Sequence, residues 1–139
     1  MSILVDTGGL VALGDRRDPF HAWFRRFFTV DARMNSLIVP VTVLPEVDYL
    51  VSQRTDPHAA IRLMEQIVAS DMHFEHLQSV DFPRIIELMR QYADSSIGFV
   101  DASLVAVAER LNVRTVLTLD RRHFGVIRPR HCATLEILP

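Results

Sequence analysis

Along the whole of this chain, apolar runs of strand length alternate with longer segments whose apolar residues recur every three to four positions. That rhythm points to an α/β domain in which helices cover a mostly parallel sheet. A strand buried on both faces reads as a continuous apolar run, and its parallel neighbour is reached through a helical crossover. The strand-length runs fall at residues 2–5, 36–39, 72–76, 115–119 and 134–138. The helical segments run from the Thr7-Gly8-Gly9 break to about Gly14, over 20–28, from Thr42 as N-cap to about Arg54, and from Asp56-Pro57 to about Ala69. Two more follow, one from Ser79 or Asp81 as cap to about Ala93 and one over 99–111.

The 20–28 segment carries Phe20, Trp23, Phe24, Phe27 and Phe28 on one stripe. Its width of roughly 140° suits core packing, and its bulk is enough to overflow a small core and meet a partner. The length of 139 residues fits one domain, and 49% hydrophobic with 23% charged residues is the composition of a folded chain. No apolar run approaches the roughly 18 residues of a membrane span, and an acid stands where a secretion signal carries basic residues. A soluble, cytoplasmic protein without membrane contact is the expectation.

Two absences narrow the chemistry. With Cys132 as the lone cysteine there is no internal disulfide and no cysteine-based zinc cage. All 15 basic residues are Arg, so P-loop, Schiff-base and Ser-Lys mechanisms are excluded. The net charge of −2 does not advertise a nucleic-acid binder, so local Arg clusters or a bound cation must attract any such substrate.

The placement of the acids is more telling than their number. The buried-type runs SILVD and TVLTLD each end in a carboxylate, Asp6 and Asp120, while Glu46 and Asp101 fall in the first turns of predicted helices. In an open parallel sheet, strand C-termini and helix N-termini share one rim, the rim where ligands bind. Carboxylates gathered there repel one another, which raises some of their pKa values until a hard divalent cation relieves them. Oxygen ligation without cysteine favours Mg²⁺ or Mn²⁺, which can activate water against a phosphodiester.

The segments ILVDTGGLVAL, VTVLPEVDYLV, GFVDASLVAVAER and TVLTLDRRHFGVI together resemble the PIN (PilT N-terminal) domain family, and within it the VapC-type toxins of type II toxin-antitoxin pairs. The resemblance spans essentially the whole chain, so that residues 1–139 form a single PIN-like domain. It implies an α/β/α sandwich with a five-stranded parallel sheet ordered 3-2-1-4-5. It also implies an endoribonuclease dependent on Mg²⁺ or Mn²⁺ that leaves a 5′-phosphate and a 3′-hydroxyl. The four acidic positions of the family fall on Asp6, Glu46, Asp101 and Asp120, as metal ligands and organisers of the attacking water. The hydroxyl two residues before the last of them is Thr118, an expected support behind those ligands. The implied partners are RNA, a cognate VapB-type antitoxin and a second copy of the chain. Where many relatives carry Asn or Ser soon after the first Asp, this chain has Gly8 and Gly9.

Arg16, Arg17, Arg121 and Arg122 are read as loop residues on the active rim, where a planar guanidinium suits RNA phosphate. His73, His76, His123 and His131 have no zinc spacing and are read as ordinary surface or half-buried residues. His123 is left outside the metal set although it follows Asp120 closely enough to touch substrate. Asp48 stands roughly 200° around its helix from Glu46 and cannot share an ion with it. Two other readings compete: a catalytically silent module binding RNA or antitoxin, and a phosphohydrolase for a small phosphomonoester.

Overall fold

A computed structural model describes all 139 residues. Five parallel strands form one sheet in the order β3-β2-β1-β4-β5, the order implied by the family resemblance. They are β1 (Ser2–Val5), β2 (Ser36–Pro40), β3 (His73–Glu75), β4 (Thr115–Leu117) and β5 (Glu136–Leu138). At the centre lies β1, with Leu4 in register with Ile38 on one side and Val116 on the other. Its Ile3, Leu4 and Val5 are buried on both faces, which is why this run shows no polar alternation.

The flanking helices are α1 (Thr7–Gly14), α2 (His21–Thr29), α3 (Leu44–Arg54), α4 (Pro57–Ala69), α5 (Asp81–Gln91), α6 (Phe99–Leu111) and α7 (Arg121–Val126). Short 3₁₀ turns at Asp31–Met34, Val41–Val43 and Ala93–Ser95 link them. Two caps follow directly from sequence. Asp56 Oδ1 accepts from the Ala59 N–H at 2.9 Å, with Pro57 in the first turn. At its other end α6 stops where Asn112 turns left-handed, at φ 54°.

Two expected caps are used otherwise. Thr42 lies in a 3₁₀ turn, and its hydroxyl bonds the Ser103 hydroxyl of α6 at 2.8 Å instead of opening α3. Ser103 is buried, so its hydroxyl needs partners; it meets Thr42 and donates to the Val100 carbonyl at 2.6 Å. Asp81 sits inside the first turn of α5 and is drawn into the interior by Arg110. α6 is buried at every position from Ala102 to Ala108, not along one face alone, and its small alanines let neighbours approach on all sides.

The aromatic stripe divides as its bulk suggests. Phe24 and Phe27 are buried in the core, while Phe20 and Trp23 remain exposed and Trp23 stacks on Phe27 with ring centroids 5.2 Å apart. Phe24 explains Gly9. A Cβ at position 9 would lie 2.7 Å from Cε1 of Phe24, so a Ser or Asn does not fit here without displacing that ring. Gly9→Ser should therefore cost about 1–3 kcal/mol, the usual range for overpacking, read as a lower urea midpoint with an unchanged slope.

Candidate active site

Asp6 does two jobs at the junction of β1 and α1. Its Oδ1 accepts the Thr7 N–H at 2.7 Å and so caps α1, while Oδ2 accepts the Thr118 hydroxyl at 2.7 Å. Its own N–H is tied to the Leu117 carbonyl of the neighbouring strand at 3.0 Å. Burial of this carboxylate raises its pKa from the usual 3.8 to about 6, against the pull of the Thr118 and Thr7 hydrogen bonds, and the charges of Asp101 and Glu46 add to the rise.

Thr118 follows β4, and its oxygen also accepts the Asp120 N–H at 2.9 Å. One buried hydroxyl thus joins the Asp6 carboxylate after β1 to the backbone of Asp120 after β4. Asp120 in turn caps α7, its Oδ1 accepting the His123 N–H at 3.0 Å. Asp101 stands half-buried in the first turn of α6, and its pKa is also raised, first by burial and then by the charge of Asp120. Glu46 lies in the first turn of α3, exposed, close enough for its charge to bear on both Asp6 and Asp101. Three carboxylates from strand ends and helix starts therefore gather at one rim, with a fourth acting on them by charge.

The set contains one residue that sequence reading left out. His123 Nδ1 lies 2.9 Å from Asp101 Oδ2 and 2.8 Å from Asp120 Oδ2. Potential ligand atoms of Asp101, Asp120 and His123 all lie within 4.8 Å of one another. The available signal was the Asp-x-x-His spacing, which on a helix puts both side chains on one face. That spacing carries meaning only on a helix; the sequence places residues 121–122 in a loop, whereas Arg121 and Arg122 open α7.

The four arginines separate accordingly. Arg121 and Arg122 are exposed directly after Asp120. Arg16 and Arg17 follow the C-cap of α1, about nine residues and so roughly 14 Å along the helix from Asp6. There the Arg17 guanidinium donates to the Arg54 carbonyl at the far end of α3 and to Asp15, so the expectation that all four share the acidic rim is corrected for this pair. Two of the other histidines are engaged elsewhere: His73 with Glu75 at 2.9 Å, His131 with the Val113 carbonyl at 2.6 Å.

Thr118 offers a direct check on how the site is held. Thr118→Val keeps the shape but strips Asp6 Oδ2 of a donor and the Asp120 N–H of an acceptor. It should destabilise the protein by about 1–3 kcal/mol. It should also move the Asp6 midpoint, followed by carboxyl NMR, further upward, because the lost hydrogen bond is one that favours the charged form.

Comparison with known proteins bears on this arrangement. The PIN domain family model matches residues 3–128. A curated relative, Ribonuclease VapC26 of Mycobacterium tuberculosis, is 30% identical over 137 residues, covering 99% of this chain and 100% of its own length. The crystal structure of Mycobacterium tuberculosis VapC20, described as a Sarcin-Ricin loop cleaving toxin, superposes with a TM-score of 0.82 at 20% identity, covering 99% of each chain. That of VapBC2 from Rickettsia felis, bound to a DNA fragment from the promoter, gives 0.71 at 18% identity, covering 99% of this chain and 97% of the other.

Proposed function

We propose, on the premise that this chain belongs to the PIN domain family, that it is a toxin-type endoribonuclease of the VapC kind, hydrolysing RNA at the rim where β1 and β4 end. The observation that carries the reading is the buried, protonation-prone Asp6 facing the charges of Asp101 and Glu46, with Thr118 tying it to the backbone of Asp120. Asp6, Glu46, Asp101 and Asp120 are proposed as the residues that hold a divalent cation, Mg²⁺ or Mn²⁺. The fit is chemical: a desolvated carboxylate among like charges is stabilised by a hard cation, and the donors are oxygens.

A divalent cation bound there supplies positive charge for the phosphodiester and lowers the pKa of water. The chain's own residues do the rest. Thr118 holds Oδ2 of Asp6, and the α7 cap holds Oδ1 of Asp120. Arg121 and Arg122 are proposed to bind flanking phosphates, as exposed cations beside Asp120.

The same reading includes a VapB-type antitoxin and a second copy of the chain as partners. In support of the first, α2 and α4 enclose a groove of about 980 Å³ with Phe28, Leu63 and Ile67 among its apolar lining and Arg16, Arg17, Arg25 and Arg62 as cations. Those walls suit a segment that is both apolar and acidic. No helix is long and apolar enough to cross a membrane, and a cytoplasmic location fits an RNA substrate.

Purified protein incubated with RNA should release fragments bearing 5′-phosphate and 3′-hydroxyl ends when Mg²⁺ or Mn²⁺ is added, and EDTA should stop the reaction. Association with RNA without product would establish a silent binding module instead. Turnover of a phosphomonoester but not of RNA would replace the nuclease with a phosphatase.

A further inference from the structure

We infer that His123 is a direct ligand of the divalent ion, and that its nitrogen makes the site prefer Mn²⁺ over Mg²⁺. This rests on the metal reading above and extends it to a residue outside the four acids. In a six-coordinate ion with bonds of about 2.1 Å, neighbouring ligand atoms stand about 3 Å apart. Nδ1 of His123 already keeps that spacing from an oxygen of Asp101, 2.9 Å, and from an oxygen of Asp120, 2.8 Å.

The ring is also held there by the fold. Asp120 addresses His123 twice, its Oδ1 taking the backbone N–H and its Oδ2 facing Nδ1. Phe124, the next residue, is fully buried, and the N–H of the fully buried Ile127 donates to the His123 carbonyl at 3.3 Å. The backbone that carries the ring is thereby fixed beside the two carboxylates. Without an ion this nitrogen meets the two carboxylates as an N–H donor; an ion entering between them takes the place of that hydrogen, with the ring's remaining hydrogen on Nε2 and the Nδ1 lone pair on the metal.

The nitrogen has a chemical consequence. Mg²⁺ demands oxygen ligands in near-ideal octahedra and keeps its waters, whereas imidazole suits transition metals. Arg121 and Arg122 begin the same turn but offer no lone pair, so His123 alone in α7 brings nitrogen to the rim.

The test is pulsed electron paramagnetic resonance of Mn²⁺ bound to the full chain, with direct titrations of Mn²⁺ and Mg²⁺. The wild-type protein should show ¹⁴N modulation from a coordinated imidazole. His123→Ala should lose it, bind Mn²⁺ more weakly by more than the roughly 10–100-fold that loss of an outer partner costs, and change Mg²⁺ affinity far less, collapsing the preference. Bound Mn²⁺ without ¹⁴N coupling in the wild type overturns the inference and leaves the acidic site standing. Tighter Mn²⁺ binding by His123→Ala overturns it in favour of a ring that competes with the ion. Failure of the wild type to bind either ion removes both this inference and the metal reading beneath it. If His123→Ala does not fold, the wild-type spectrum alone decides.

Discussion

Asp6→Asn should leave the protein folded, abolish divalent-dependent RNA cleavage and raise thermal stability at pH 7. The loss of activity follows from removing a charge at the junction of β1 and α1. Loss of an outer partner of a metal ligand costs roughly 10–100-fold, and loss of a ligand itself costs more. The gain in stability follows from the burial of that carboxylate. Its folded pKa of about 6 lies above the usual 3.8, so holding it ionised opposes folding by about 3 kcal/mol at pH 7.

The sign follows from which state binds the proton first. Above pH 6 both folded and unfolded chains carry the charge, and the full cost is present. As pH falls from 6 toward 4 the folded protein takes up the proton first, and the cost disappears. The stabilisation of Asp6→Asn should therefore be several degrees in melting temperature at pH 7 and close to nothing near pH 4. Asparagine can still accept from the Thr7 N–H and donate to the Thr118 oxygen, so the cap and the bridge persist. Added Mn²⁺ should stabilise the wild type and not the variant. A variant that melts no higher than its parent at pH 7 would show that Asp6 bears no such burden.

Arg110→Ala should be among the most damaging single substitutions outside that rim, at about 3–5 kcal/mol. Arg110 reaches from α6 to Asp81 with 2.9 Å and 3.1 Å contacts, to Glu75 at 2.8 Å and to the His76 carbonyl at 3.2 Å. It thereby fastens α6 to α5 and to the edge strand β3. Asp81 is 3% exposed, and without the guanidinium it is left as an uncompensated buried charge. Burial alone would raise the Glu75 pKa, but the hydrogen bonds from Arg110 and His73 hold it below its usual value. A depressed carboxylate stabilises the fold above its unfolded pKa and loses that contribution as pH falls through the lower folded one. Chemical unfolding should therefore show the largest gap between wild type and variant near neutrality, shrinking in acid. Since Arg110 touches none of the acids at the rim, cleavage by the folded fraction should be nearly unchanged at low temperature.

How much of this was legible in the sequence varies with the kind of cause. Asp6 and Asp120 stand out because buried runs that end in carboxylates are a local pattern, and α6 begins and ends where its periodicity over 99–111 places it. The sheet order came from family resemblance, since strand spacing is compatible with several orders. Glu46 was placed on its helix, but sequence could not tell that it stays exposed while Asp6 sinks below it. Thr42 read as a cap because its partner, Ser103, lies 61 residues away, beyond any local signal. His123 was missed for a related reason. Its significance depends on α7 forming at all, and that six-residue helix is held by one aspartate cap and one buried phenylalanine.

The central strand has one more consequence, in the order of biosynthesis. β1 is made early, yet one of its two neighbours, together with Thr118, Asp120 and His123, is contributed by residues 115–123. A nascent chain that has not reached those residues holds Asp6, Glu46 and, late in synthesis, Asp101, but not Thr118, Asp120 or His123. A site wired in this way cannot close while the first hundred residues are being translated. Products truncated before β4 should likewise be inert without any inhibitor.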